Sequence, residues 1–431
     1  MSSKITIFYI GATGYIGGSV LQAILAHPKA DTFEVTALVR NETKAKAIEK
    51  ALGIKIVLGS LEDDALLTEY SEKADVVFQN ASANAFDATK AILAGLKQRF
   101  DKTGKKPLFF HTWGIAVLVD NALGEYLSPT VTSDYDLDTI DKLPKTIINS
   151  RVDKLLVEAD ADGYTTTFII APAIIYGRPR GPLFDGPAPI SALVTGVVTK
   201  WAAAAARKGR PGIIGKGANA WGYYRDPSVR TDPSVRTNDR ISVIVHPINL
   251  QFGRPAQGNT EEKQEAALEG VTMQPQFDSP TCSGCSAKAH KAGERRFPED
   301  RQYVHIDDNA DAYYRLFDAA LFGSAQVSHG REGYFWIEAT EHTAYEVHKV
   351  IGEALVALGV IGEAEPASLT ADEQVKFYGS EEYAAFFAAN TRSKGDRLRK
   401  ELGWAPKHTA QKEFIKDIKE DTEVAAKALK A

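Results

Sequence analysis

The first half of the chain alternates between two hydrophobic periods. Lys4 to Ile10 is a near-continuous apolar run of strand length, and Ile16 to His27 then places apolar residues at helical spacing until Pro28 stops it. The alternation repeats. β-rich runs at Thr32–Val39, Ile54–Leu58, Asp75–Gln79, Pro107–Thr112 and Thr165–Ile170 are separated by helical stretches at about 42–52, 62–73, 84–102 and 149–162. Apolar strands joined by helices of this length predict parallel strands buried on both faces, because each parallel connection needs a crossover. The expected fold is α/β, a doubly wound parallel sheet.

Beyond Tyr176 the pattern changes. Gly and Pro crowd Gly177 to Pro189, an alanine-rich helix is expected at about 191–208, and helical patterns return at about 308–322, 341–359, 371–390 and 409–430. Residues 1–176 therefore form one domain, and 177–223 with 309–431 form a small, mostly helical lobe whose last helices return in part to the core. The stretch 224–301 has neither period. It holds seven of the 19 prolines, a tandem Asp-Pro-Ser-Val-Arg-Thr at 226–231 and 232–237, and both cysteines, Cys282 and Cys285. A loop of this length is outside the ordinary range, so it is expected to be a disordered insertion. Without it about 350 residues remain, one domain with its lobe. Cys282-Ser-Gly-Cys285 with His290 has metal-like spacing but lacks a fourth ligand, and no metal is assigned.

Composition narrows the classes. With 44% hydrophobic residues, 25% charged and a net charge of -5, the 431-residue chain is an ordinary globular sequence without a cationic footprint for nucleic acid or anionic membrane. No signal peptide or membrane-length apolar segment is read, and two cysteines suit a reducing compartment, so a cytoplasmic location is expected.

The chemistry concentrates at Tyr9-Ile-Gly-Ala-Thr-Gly-Tyr-Ile-Gly-Gly18, where Gly11, Gly14 and Gly17 follow a strand and open a helix. Glycine there permits a tight turn, close approach of backbone to a pyrophosphate, and close packing of helix on strand. Gly11, Thr13, Gly14, Tyr15, Ile16 and Gly17 are the dinucleotide-binding candidates. The second strand ends in Arg40 with no carboxylate at its tip, which suits a 2′-phosphate and favours NADP(H) over NAD(H).

With Ala171-Pro-Ala-Ile-Ile-Tyr-Gly177, Tyr303-Val-His-Ile-Asp-Asp308 and Glu401-Leu-Gly-Trp-Ala-Pro406 in the same order, the sequence resembles the extended short-chain dehydrogenase/reductase superfamily, in its epimerase/dehydratase branch, with some NmrA-like character. The resemblance implies a Rossmann-type fold, a Ser or Thr after the fifth strand, and a Tyr-x-x-x-Lys pair on the following helix. Lys154 aligns with that lysine and would bind the nicotinamide ribose. Ser150 then stands where the tyrosine belongs and Trp113 where the serine belongs, leaving Thr112 and His111 beside it. A serine hydroxyl is far too weak an acid to replace a tyrosine of pKa ~10.

Two readings follow. In the first, an atypical oxidoreductase or epimerase/dehydratase-like enzyme acts on a small carbonyl or alcohol, with Lys154 on the ribose and a hydroxyl of Thr112, Ser150, Tyr126 or Tyr135 orienting the substrate. In the second, the protein binds NAD(P)(H) without turnover and reports redox state to a protein partner, as NmrA-like members are thought to do. His111 reads as a core histidine and Asp307 or Asp308 as a helix cap. The helices at 84–102 and 149–162 are candidates for a homodimer contact.

Overall fold

In the computed structural model the described residues are 4–142, 150–186, 188–220, 303–324 and 326–430. The proposed insertion at 224–301, its tandem repeat, Cys282, Cys285 and His290 lie outside them. Each apolar run becomes a strand: β1 (Ile5–Ile10), β2 (Phe33–Val39), β3 (Lys55–Leu58), β4 (Val76–Gln79), β5 (Leu108–Thr112) and β6 (Thr166–Pro172). Between them lie α1 (Tyr15–Leu25), α2 (Glu42–Leu52), α3 (Asp64–Lys73), α4 (Phe86–Thr103) and α5 (Ser150–Ala161). After α6 (Gly196–Lys208) and α7 (Ile306–Phe322), a seventh strand, β7 (Tyr334–Ile337), joins the edge. The order is β7-β6-β5-β4-β1-β2-β3, every neighbour parallel, so strand order reverses at β1 and β4. That reversal opens a crevice at the carboxyl ends of the strands.

Both faces are packed. On one, Tyr9, Phe78, Phe110 and Phe168 meet Val20 and Leu21 of α1 and Leu316 and Phe317 of α7. Phe78, Phe110 and Phe168 stand at matched register, their ring centroids 4.7 Å apart at each step. Such aromatic pairs add about 0.5–1.5 kcal/mol each beyond area burial. On the other face Phe8, Val77, Phe109 and Ile169 meet Leu67 of α3, Ile92 and Leu96 of α4, and Val152 and Leu156 of α5.

Besides the added strand β7, the C-terminal part departs from its expected pattern at one helix. The single helix predicted at 371–390 is two, α9 (Ala371–Tyr378) after α8 (Ala344–Ala357), and α10 (Glu381–Phe387). Gly379, at φ +100, closes α9 in a left-handed turn, and the Ser380 hydroxyl accepts from the Tyr383 amide to start α10. A Thr343–Glu346 capping box starts α8. Gly403 closes α11 (Asp396–Leu402) as its position before Pro406 predicted, and α12 (Gln411–Lys430) follows. Two buried ion pairs, Arg392–Glu341 and Arg399–Glu338, tie the segment before and within α11 to the loop after β7.

Candidate active site

The loop from β1 to α1 is shaped by backbone approach. Gly11 has φ +106, and a Cβ on it would lie 2.8 Å from the Asn80 carbonyl carbon; a Cβ on Gly17 would lie 2.1 Å from the Gly11 oxygen. Any side chain at either position would push the loop off the end of β4. Gly14 is the N-cap of α1 and offers no side-chain acceptor, so the first amides of the helix keep their donors and the positive end of its dipole for an anion. Thr13 sits between them; its carbonyl accepts from the Ala192 amide, and the Ser191 hydroxyl donates to the Ala12 carbonyl, so the segment before α6 holds the loop from outside. Ile16 packs in part against the α1–α7 core. Tyr15 behaves differently from its neighbours: its ring is buried and its hydroxyl donates to the carbonyl of Gly177. Burial, then the nearby Asp421, pushes that phenol well above its ordinary pKa.

Arg40 follows β2 on the exposed rim, and the Asn41 side chain beside it caps α2 by accepting from Lys44. No carboxylate occupies the tip of the strand.

Beneath the loop runs one hydrogen-bond chain. The Tyr9 hydroxyl donates to the Gly17 carbonyl at 2.6 Å, Asn80 Nδ2 donates to Tyr9 at 2.7 Å, and Thr112 Oγ1 donates to Asn80 Oδ1 at 2.6 Å. Tyr313 of α7 stands 2.7 Å from Thr112 Oγ1, and because the single threonine proton is already given to Asn80, Tyr313 is the donor. Thr112 is thus brought to the crevice, but its proton is spent on holding the loop. Its hydroxyl can accept from a ligand; it is a poor acid.

Of the remaining candidates, Lys154 and Tyr135 have their partners elsewhere and Tyr126 is exposed. Ser150 is the first residue of α5. Lys154 turns its side chain to solvent, 69% exposed, and pairs with Glu158 one turn on at 3.5 Å. The inward face of α5 carries Val152, Asp153, Leu156 and Ala159 instead, and nothing among the described residues ties Lys154 to Thr112 or to the glycine loop. Tyr126 is exposed, and Tyr135 donates to Glu401 under the guanidinium of Arg397, with burial and then that carboxylate pushing its phenol up to about 12. Trp113 is buried against Tyr334.

Two residues the sequence did not single out, Gln79 and Asp153, join His111 in the rest of this corner. Gln79 and His111 are register partners on β4 and β5, both fully buried, with Gln79 Nε2 and both imidazole nitrogens lacking a hydrogen-bond partner of good geometry. Burial holds His111 neutral, pushed down to about 4, opposed by the Ala83 backbone. Asp153, equally buried, has one carboxylate oxygen unpartnered, and burial raises its pKa well above the carboxylate range. His111 is a core histidine as expected, yet an unsatisfied one. The cap of α7 needs correction: His305, not Asp307 or Asp308, accepts from the Asp307 amide, while Asp308 accepts the amides of Lys407 and His408 and fastens the entry to α12. His305, Asp307 and His408 lie close enough for a metal, but the cap occupies His305 Nδ1.

Comparison with known proteins bears on the fold and on the N-terminal segment. Residues 1–98 match the model of the NmrA-like family. Oxidase ucsJ of Acremonium sp is 24% identical over 413 residues, covering 93% of this chain and 92% of that protein. The 4-hydroxy-2-methyl-3-oxo-4-farnesyl-3,4-dihydroquinoline-1-oxide ketoreductase of Stigmatella aurantiaca is 29% identical over 188 residues, 39% of this chain and 50% of its own length. Among solved structures, dTDP-glucose 4,6-dehydratase of Bacillus anthracis in complex with NAD superposes with a TM-score of 0.51 at 12% identity, covering 98% of this chain and 97% of that one. These likenesses show a Rossmann-type α/β fold shared with that dehydratase and an N-terminal segment, residues 1–98, similar to the NmrA-like family.

Proposed function

We propose that this protein is an NADP(H)-dependent oxidoreductase acting on a small carbonyl or alcohol substrate. The observation that carries the reading is the glycine loop, held open by backbone contacts at Gly11 and Gly17 in front of an uncapped helix start, with Arg40 rather than a carboxylate at the rim of β2. The diphosphate would rest on the first amides of α1, and Arg40 would receive the 2′-phosphate. The bound nicotinamide supplies hydride chemistry; the chain supplies orientation, and Thr112 offers an acceptor rather than a proton. An oxidase and a ketoreductase among the relatives support a redox reaction.

The test is a fluorescence titration of NADPH and NADH with the wild-type chain and Arg40→Ser, followed by turnover on a panel of aldehydes and ketones. NADPH binds more tightly, and the substitution removes most of that preference, about tenfold or more. Equal affinities in the wild type would reject the assignment. The reading as a redox sensor is favoured by one observation, the outward course of Lys154 together with Ser150 and Trp113 at the family's acid positions. NADPH binding without turnover on any carbonyl would select it.

The same reading includes a cytoplasmic protein that pairs through α4 and α5. No helix among the described residues is long and apolar enough to cross a membrane. Light scattering that returns a monomer would remove the dimer.

A further inference from the structure

The C-terminal helix is linked to the cofactor loop through Gly177. Gly177 closes the turn after β6 at φ +91, and a Cβ there would stand 2.1 Å from His305 Nε2, so the backbone must come this close to the imidazole and only glycine allows it. Its two peptide groups are both spoken for. The Gly177 carbonyl accepts from the hydroxyl of Tyr15, the first residue of α1, and the Gly177 amide donates to Asp421 Oδ2 at 3.0 Å. Asp421 lies midway along α12, fully buried, with its other oxygen among the unpartnered buried atoms. Neither hydrogen bond has water to fall back on, since Tyr15 is itself buried.

A phenylalanine would fill the Tyr15 site as well as the tyrosine does, so packing alone gives no reason for the hydroxyl. What the hydroxyl adds is a fixed distance between the first turn of α1, whose amides face the candidate diphosphate site, and a turn that α12 holds from the other side. We infer that Tyr15 and Asp421 are positioning residues, through which the docked C-terminal helix sets the geometry of the cofactor loop and hence its affinity for the dinucleotide. This rests on the reading of the loop as NADP(H)-binding. Tyr15 then serves the cofactor through Gly177, with its side chain turned away from the site.

The experiment uses the full-length chain and two readouts: hydrogen exchange of the amides from Gly14 to Ser19 in the free protein, and NADPH affinity by titration. Tyr15→Phe and Asp421→Leu each raise exchange in that turn and weaken NADPH by about five- to tenfold, at a melting temperature that shows the fold retained. Asp421→Asn keeps an oxygen to accept from Gly177 and stays close to wild type, as does Glu423→Gln on the exposed side of the same helix. Should Asp421→Leu fail to fold, Tyr15→Phe decides alone. Unchanged exchange in folded Tyr15→Phe overturns the proposal, and so does raised exchange with unchanged affinity. If exchange rises while the wild-type chain binds neither NADPH nor NADH, the tether stands and the reading of the loop as a cofactor site falls instead.

Discussion

The glycine loop and the corner where β5 meets α5 lie at the same end of the sheet, yet they are built to different standards. At the loop every contact is short and directional. Backbone meets backbone at Gly11 and Gly17, and four side chains, Tyr9, Asn80, Thr112 and Tyr313, pass one line of donated protons toward the Gly17 carbonyl. At the other corner the groups that would move a proton are misdirected or mute. Lys154 faces water, Thr112 has given its proton away, His111 is pushed down to about 4 by burial, and burial raises the pKa of Asp153, each of the last two with atoms lacking a hydrogen-bond partner of good geometry. The difference suits the proposed dinucleotide site at the loop, and it leaves Lys154 outside the ordered contacts that the resemblance implied for it.

The largest effect should come from breaking the loop. In Gly17→Ala the new Cβ would sit 2.1 Å from the Gly11 carbonyl oxygen, a backbone atom that can retreat only by lifting the turn away from Asn80. We predict loss of NADPH affinity by more than about a hundredfold and a lowered melting temperature, read by titration and thermal denaturation on the same sample. Affinity within a few-fold of wild type would show that the cofactor does not rest on this turn.

A smaller effect, on stability, sharpens the other side of the comparison. His111 is pushed down to about 4 and His348 to about 3, both by burial, so between pH 6.5 and 4 the unfolded chain binds protons that the folded chain refuses. Stability is therefore full above pH 6.5 and declines on acidification, by on the order of 1 kcal/mol per pH unit for each histidine. His111→Phe should remove its share of that slope in denaturant titrations at stepped pH. An unaltered slope would mean that His111 is protonated in the folded protein and has a partner, so that the corner would hold an ionised imidazole.

What the sequence disclosed follows the same division. Six strands and their helices were legible because the apolar period is strong, and the loop was legible because close backbone approach tolerates only glycine. β7 escaped notice: Tyr334-Phe-Trp-Ile337 is four residues of aromatic and aliphatic side chains with no alternation, buried on both faces beside β6. The split of 371–390 was written in Gly379-Ser380 but masked by continuous helical spacing on both sides. Tyr313 and Asp421 could not be found at all from one sequence, since each meets its partner across more than 200 residues, and nothing local distinguishes a tyrosine that donates to Thr112 from one that merely packs. Lys154 is ambiguous in the sequence for another reason. Its spacing to Glu158 matches the superfamily pattern, yet the same i,i+4 spacing serves an ordinary surface ion pair.

That pair supplies the smallest effect and the most discriminating one. A lysine that grips a nicotinamide ribose loses its ligand when replaced, and both affinity and turnover collapse together. A solvent-facing lysine loses only an exposed ion pair, worth about 0.3–0.5 kcal/mol on a helix and less at high salt. We therefore predict that Lys154→Met leaves the melting temperature within about a degree and changes NADPH affinity, and any turnover found, by less than about threefold. A drop of a hundredfold or more would mean that the side chain swings inward when the cofactor binds. The distinction between a finished binding site and an unfinished catalytic corner would then belong to the free protein alone, because the binding of the dinucleotide would itself complete the corner.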